Sequence, residues 1–354
     1  MTNLEIVTEI LEKLEKNHIN LYHDVEKEIV EKYIKSIDWI SLSEIEFDCQ
    51  MKKLFALFKD PHTSYFVNGN EVLSDKIRFV QGRFYLCQNN TWIRILKIAN
   101  LSENEFHTKM KELINYETTE WLNYQINNLV NNAYYFKMLG LIVDDKLKVE
   151  LENNEKVYLN VVENDMTKKQ NSKHLLYSFD VLENDIIYIK YLRCVSDEKN
   201  PFETFVEKIK ESISNQNITK YILDVRDNVG GNSQILKPLK NFIVKKRMTG
   251  VVLMNNGTFS SGTIAVADFK RDCKAVIVGE NAGGAVKSYG DIRNLSIGSK
   301  RISCSTKYFD FSEYFDCNDS IRPDVFIATS MDDLILGRDV QLAKAIEILN
   351  TKDV

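Results

Sequence analysis

The run Thr249–Gly284, TGVVLMNNGTFSSGTIAVADFKRDCKAVIVGENAGG, constrains the fold more than any other stretch. Val251–Met254 and Ala275–Val278 are apolar runs of strand length, and a helical pattern separates them. The same alternation precedes it. Ile186–Leu192 reads as a strand, Phe202–Ile213 as a helix with Phe205, Ile209 and Ile213 on one face, Tyr221–Val225 as a strand and Gln234–Val244 as a helix. Strands without polar alternation, spaced by helices, predict an α/β core with a mostly parallel sheet. Ile297–Tyr308 adds strands, Arg322-Pro323-Asp324-Val325 leads into a last short strand, and Gln341–Leu349 closes the chain as a helix.

The turn between Met254 and the following helix carries Thr258-Phe259-Ser260-Ser261-Gly262. A serine there has two uses. It can cap the helix through its hydroxyl. It can also stand exposed as a nucleophile, with the first helix amides facing any negative charge that forms beside it. A second loop, Arg226-Asp227-Asn228-Val229-Gly230-Gly231-Asn232-Ser233, follows the Tyr221–Val225 strand. In a parallel sheet such loops meet at one edge, where ligands bind. A glycine-pair amide and the Ser261 amide can then converge on a tetrahedral oxyanion; a tight turn and a helix cap are the plain alternative. Neither loop fits a nucleotide-binding glycine pattern.

Residues before 185 read differently. Helical spacing recurs in Ile6, Ile10, Leu11 and Leu14, again over Val25–Ile37, and from Ser43, with Glu46 as its capping-box partner, to Phe58. The third helix stops at Asp60-Pro61, and His62-Thr63-Ser64-Tyr65 follows. Phe79–Leu86 and Trp92–Ala99 read as strands, Ser102–Ile114 as a helix capped by Ser102, and Thr118–Leu139 as a longer helix. Lys146–Val162 reads as a hairpin around Asn153-Asn154, and Glu163–His174 as a polar linker. Short strands with intervening helices suit a small peptide-binding module. Of the five histidines, His18, His23, His107 and His174 sit among polar residues and are expected to be solvated, whereas His62 occupies a loop where a side chain can be aimed.

At 354 residues the chain has room for two or three modules, and 44% hydrophobic content with four prolines marks a folded protein. A formal charge of −5 spread over both signs offers no basic surface for nucleic acid. Six scattered cysteines without a Cys-x-x-Cys pair indicate neither a zinc site nor a disulfide framework. The start MTNLEIVTEILEKLEK lacks a basic leader with an apolar run, and no run reaches the roughly 20 residues of a membrane span. A cytoplasmic location is the expectation.

The ordered motifs resemble a known family: the C-terminal-processing (tail-specific) serine peptidases, in the branch related to the tricorn protease core and the interphotoreceptor retinoid-binding protein. The pieces are Asp60-Pro61-His62-Thr63-Ser64, Ile222–Ser233, Gly257-Thr258-Phe259-Ser260-Ser261-Gly262, Val278–Gly284, Ser305–Phe309 and Arg322-Pro323-Asp324. Together they span most of residues 50–330. The resemblance implies an N-terminal helical domain (1–65), a PDZ-like module (75–162) and an α/β core of the crotonase/ClpP-like spiral type (175–350). It implies Ser260 as nucleophile, His62 as general base, and oxyanion donors from Ser261 and from Gly230 or Gly231. It further implies an acyl-enzyme route on peptides or unfolded protein tails, with no cofactor or metal, and leaves room for a homo-oligomer.

The chain departs from the family in three places, one of them Thr263, where a glutamate often follows the nucleophile by three positions. Ser–Lys members carry a lysine where Ala285 follows Ala282-Gly283-Gly284, and Lys287 comes two residues later, which favours the histidine mechanism. Tricorn-like members place a glutamate shortly before the Pro-Asp element, where Cys317, Asn318 and Asp319 stand here. Asp291 is the first candidate for the acid orienting His62, ahead of Asp316 and Asp319; Asp224 and Arg226 read as a structural pair. A protein that keeps the fold but only binds peptides or other ligands is the alternative function. An acyl-thioester enzyme of the crotonase kind lacks any basic or aromatic coenzyme A signature.

Overall fold

A computed structural model describes residues 1–164, 175–317 and 319–351. The chain divides into two compact units, Met1–Lys169 with Ser288–Phe309, and Gln170–Lys287 with Asp310–Val354.

The first unit opens with helices α1 (Asn3–Asn17), α2 (Lys27–Lys35) and α3 (Glu44–Ala56). Thr2 with Glu5 and Ser43 with Glu46 close capping boxes, satisfying the first amides of α1 and α3. Val7, Ile10 and Leu14 of α1 pack with Val30, Phe47, Met51 and Phe55 into one core. That core also takes in Tyr65 of β1 (Ser64–Phe66). The loop between α3 and β1 is thus held at both ends by buried apolar side chains. β1 pairs antiparallel with β15 (Lys300–Asp310), Ser64 opposite Ser303, and β15 lies beside β14 (Lys287–Ile297).

A second core in this unit belongs to an antiparallel sheet of β2 (Glu71–Leu73), β3 (Ile77–Val80), β4 (Arg83–Gln88), β5 (Thr91–Ile98), β6 (Leu101–Ser102), β7 (Lys146–Leu151) and β8 (Lys156–Glu163). Its order is β2-β8-β7-β5-β4-β3, with β6 on β5. Helices α4 (Glu103–Lys111), α5 (Thr119–Leu129) and α6 (Ala133–Met138) supply Phe106, Ile126 and Phe136 to its apolar face.

Two sequence expectations change here. Phe79–Leu86 is not one strand but a hairpin, because Gln81 and Gly82 turn the chain at φ 48° and 78°. Thr118–Leu139 is not one helix. Asn131 bonds both Ile77 N and O at 2.8 Å, and Asn132 caps α6 at the Tyr134 amide, so the chain leaves the helix between them.

The second unit contains a six-stranded sheet ordered β16-β13-β12-β11-β10-β9. Its strands are β9 (Tyr177–Leu182), β10 (Ile186–Tyr191), β11 (Lys220–Asp224), β12 (Thr249–Met254), β13 (Val276–Gly279) and β16 (Val325–Phe326). All neighbours are parallel except β9, which runs antiparallel to β10. One face carries Ile187, Leu223, Val252 and Ile277 under α7 (Phe202–Gln216), α8 (Lys237–Lys246) and α9 (Ser261–Cys273). The other carries Ile222, Val251, Leu253 and Val278, covered by Ala345 and Leu349 of α11 (Val340–Thr351). Burial on both faces explains why these strands show no polar alternation. Each such side chain contributes about 1.5–3 kcal/mol when fully buried. The short helix α10 (Met331–Leu336) and strand β9 are additions to the sequence reading.

Candidate active site

In the second unit, β11 and β12 end side by side, Asp224 opposite Leu253. The loops that follow them are stitched together. Phe259 N donates to Asn228 O at 3.0 Å, and Thr258 Oγ1 donates to Val225 O at 2.8 Å. Asn255 and Asp227 exchange two more bonds, at 2.9 and 3.0 Å. The fully buried Asn228 donates to Tyr191 O at 2.7 Å and accepts from the Gly230 amide at 2.9 Å.

Ser260 sits where this frame meets α9. Its φ of 54° and ψ of −124° lie in a region that residues with a Cβ avoid, at a cost of about 1–3 kcal/mol. Its side chain makes no capping bond, so the helix-cap use weighed from sequence is not the one adopted. The neighbour does the anchoring: Ser261 Oγ donates to Gly231 O at 2.6 Å. Gly230, at φ 101°, lies against the serine. A Cβ there would come within 2.7 Å of Ser260 Cβ and 2.8 Å of Ser261 N. Gly231, at φ 137°, leaves space for Cys194 O, which a Cβ would approach to 2.3 Å. Cys194 N bonds Gly230 O and Asn232 N bonds Cys194 O, fixing the pair from both sides. The Ser261 amide stands in the first turn of α9, where helix amides lack intrahelical acceptors.

In the first unit, His62 occupies the loop after α3. Its amide donates to Asp60 Oδ1 at 3.0 Å, and its carbonyl accepts from Ser303 Oγ at 2.7 Å. Asn115 Nδ2 donates to the carbonyls of Asp60 and Thr63, at 2.5 and 2.7 Å. Gly290 passes the ring, its Cβ direction 3.5 Å from His62 Cε1. Burial lowers the His62 pKa below the usual imidazole value, opposed by the Asp60 charge and by a hydrogen bond with the Tyr289 backbone. The net effect favours the neutral form of the imidazole.

The carboxylate beside His62 is Asp60, which the sequence reading passed over. It is 1% exposed, and burial by itself would raise its pKa. Hydrogen bonding from His18, the positive charge that His62 takes on once protonated in acid, and the bond from Thr63 outweigh that and hold it at about 2. His18 corrects the expectation of a solvated side chain: it is buried and bonds Asp60 Oδ2 at 2.8 Å. His107 is half-buried against Asn123 and His23 lies beside Tyr289, while His174 and most of the expected linker fall outside the described residues.

Asp291 is half-exposed and pairs with Lys307 at 2.7 Å. Asp319 faces Arg322 at 3.3 Å, and Asp316 is exposed. Ala285 is buried and Lys287 lies 4.0 Å from Asp310. Asp224 and Arg226 form the expected pair, at 2.6 and 2.9 Å, and Arg226 also grips Asp339 at 2.8 Å. All six cysteines are free. Among the described residues no cluster of three or more His, Cys, Asp or Glu is arranged to hold a metal, and no helix is long and apolar enough to cross a membrane.

No family model matches the sequence, and no curated protein matches it. Its likeness is to solved structures. Mature CPAF aligns over 100% of this chain and 98% of its own, with a TM-score of 0.69 and 12% identity. The photosystem II D1 C-terminal processing protease covers 96% of this chain and 99% of its own, at a TM-score of 0.50 and 12% identity. The tricorn protease aligns over 98% of this chain but 36% of its own length, at 0.51 and 14% identity. The chain thus has the mixed α/β fold of this group of serine peptidases, the group that the motif order resembles. At these identities the likeness establishes the fold alone.

Proposed function

We propose that the chain is a serine endopeptidase acting on peptides or unfolded protein tails through an acyl-enzyme. Ser260 is the nucleophile and His62 its general base. The carrying observation is the backbone of Ser260, which accepts a strained φ/ψ pair while its hydroxyl caps nothing. Oxyanion donors are the Ser261 amide and an amide of the Gly230-Gly231 pair. Since the Gly230 N–H already donates to Asn228, Gly231 is the member we assign. Asp291, the acid first suggested by sequence, is engaged by Lys307 in solvent.

Residues 1–65 form the N-terminal helical domain in this reading. Residues 75–162 act as a PDZ-like module that holds an extended peptide by strand addition. Residues 175–350 form the crotonase/ClpP-like core. The test is cleavage of an unfolded protein, such as fluorescently labelled casein, by the intact chain. Wild type should release fragments and Ser260→Ala should not. Absence of cleavage by well-folded wild type that still binds the unfolded protein would favour the binding-protein alternative.

A further inference from the structure

The His62 loop contains more charge than a structural turn requires. Asp60 Oδ1 accepts the His62 amide at 3.0 Å, and Oδ2 accepts Thr63 Oγ1 at 2.6 Å. Those bonds shape the turn. Two further features do not. His18, brought from the end of α1, places Nε2 2.8 Å from Asp60 Oδ2 with neither side chain exposed. Its other nitrogen, Nδ1, accepts the Asn20 amide at 2.9 Å, so Nε2 carries the proton and donates to Asp60. The remaining feature is the distance of 3.9 Å between Asp60 Oδ1 and His62 Nδ1. Burying a carboxylate is costly unless it is hydrogen-bonded, and this one is. An asparagine could shape the turn; it could not stabilise a charge on His62.

We propose that Asp60 is the positioning carboxylate of His62, holding the ring by its Nδ1 edge, with His18 and Thr63 keeping Asp60 in place. The assignment rests on reading His62 as the base for Ser260. As Ser260 Oγ bonds to the substrate carbonyl carbon, its proton passes to His62 Nε2. The imidazolium then presents Nδ1–H to Asp60, which stays ionised throughout. Collapse of the tetrahedral species breaks the C–N bond, and Nε2 returns the proton to the leaving amine. Drawing Nδ1 in to hydrogen-bond length needs a shift of about 1 Å. Other titratable or charged groups near this pair in the unit include His18, His23, Tyr289 and Cys304, and Asp291, which follows the Gly290 that packs on the ring, is drawn to Lys307 at 2.7 Å.

The experiment uses the full chain with histidine labelled in 15N, following His62 by NMR alongside the rate of modification by a fluorophosphonate probe. In wild type, neutral His62 should carry its proton on Nδ1; the opposite tautomer overturns the proposal whatever the variants do. In folded Asp60→Asn the His62 midpoint should fall and labelling should slow about 100-fold or more, with Asp60→Glu recovering part of both. An unchanged midpoint in folded Asp60→Asn overturns the proposal. Failure of wild type to react with the probe would sink the peptidase reading instead, and the His62 midpoint would still decide the place of Asp60.

Discussion

The Ser260 turn and the His62 loop each fix one side chain of the proposed site, and they do it by different means. Around Ser260 the work is done by backbone. Strained torsions, two glycines without side chains and loop-to-loop amide bonds define the position, and almost every participant lies within residues 225–262. Around His62 the work is done by buried polar side chains gathered from distant stretches: His18, Asp60, Asn115 and Ser303. Backbone frames tolerate changes in side-chain chemistry but no added volume. Side-chain networks tolerate small shape changes but not loss of a charge or donor.

This contrast can be broken by mutation. The largest effect is expected from His62→Ala, which should slow probe labelling by about 1,000-fold or more while leaving the far-UV spectrum unchanged. The pH profile sharpens the same point. Because burial lowers the His62 pKa, its neutral form persists below the ordinary imidazole value of about 6.5, and the acid limb of activity should have its midpoint under that pH. Asp60, depressed to about 2, adds stability that is present above an unfolded value of about 3.9 and lost as the pH falls toward 2.

Gly230→Ala tests the backbone frame. The added methyl meets Ser260 Cβ and Ser261 N inside 3 Å at a φ of 101°, so the turn must move. Labelling should fall about 100-fold with a much smaller change at the His62 NMR midpoint. The smallest effect is expected from Asp291→Asn. It removes an exposed pair with Lys307, worth about 0–1 kcal/mol, and labelling should stay within about twofold of wild type. A large loss there would return the orienting role to Asp291.

The same contrast explains what could be read from the sequence. The parallel sheet was legible because uninterrupted apolar strands alternate with helices, and the Ser260 turn because strand, turn and helix are contiguous. The capping box at Ser43 and the cap at Ser102 were legible for the same local reason. His18 was not, since its polar neighbours along the chain say nothing of Asp60, which only folding brings to it. Asp60 itself looked like punctuation before a proline. Asn228 was visible in the Gly-Gly loop, and its bond to the Gly230 amide is local, yet its bonds with Tyr191 and Phe259 depend on segments that only folding brings together. Asn131 broke an expected helix through bonds to Ile77, again a tertiary effect on a locally helical pattern.

The most direct test of the central claim is modification of the intact chain by a fluorophosphonate serine-hydrolase probe, with peptide mapping of the adduct. An adduct on Ser260 that is absent from Ser260→Ala is expected. A folded wild-type protein with no adduct, or with its adduct on another residue, would contradict it.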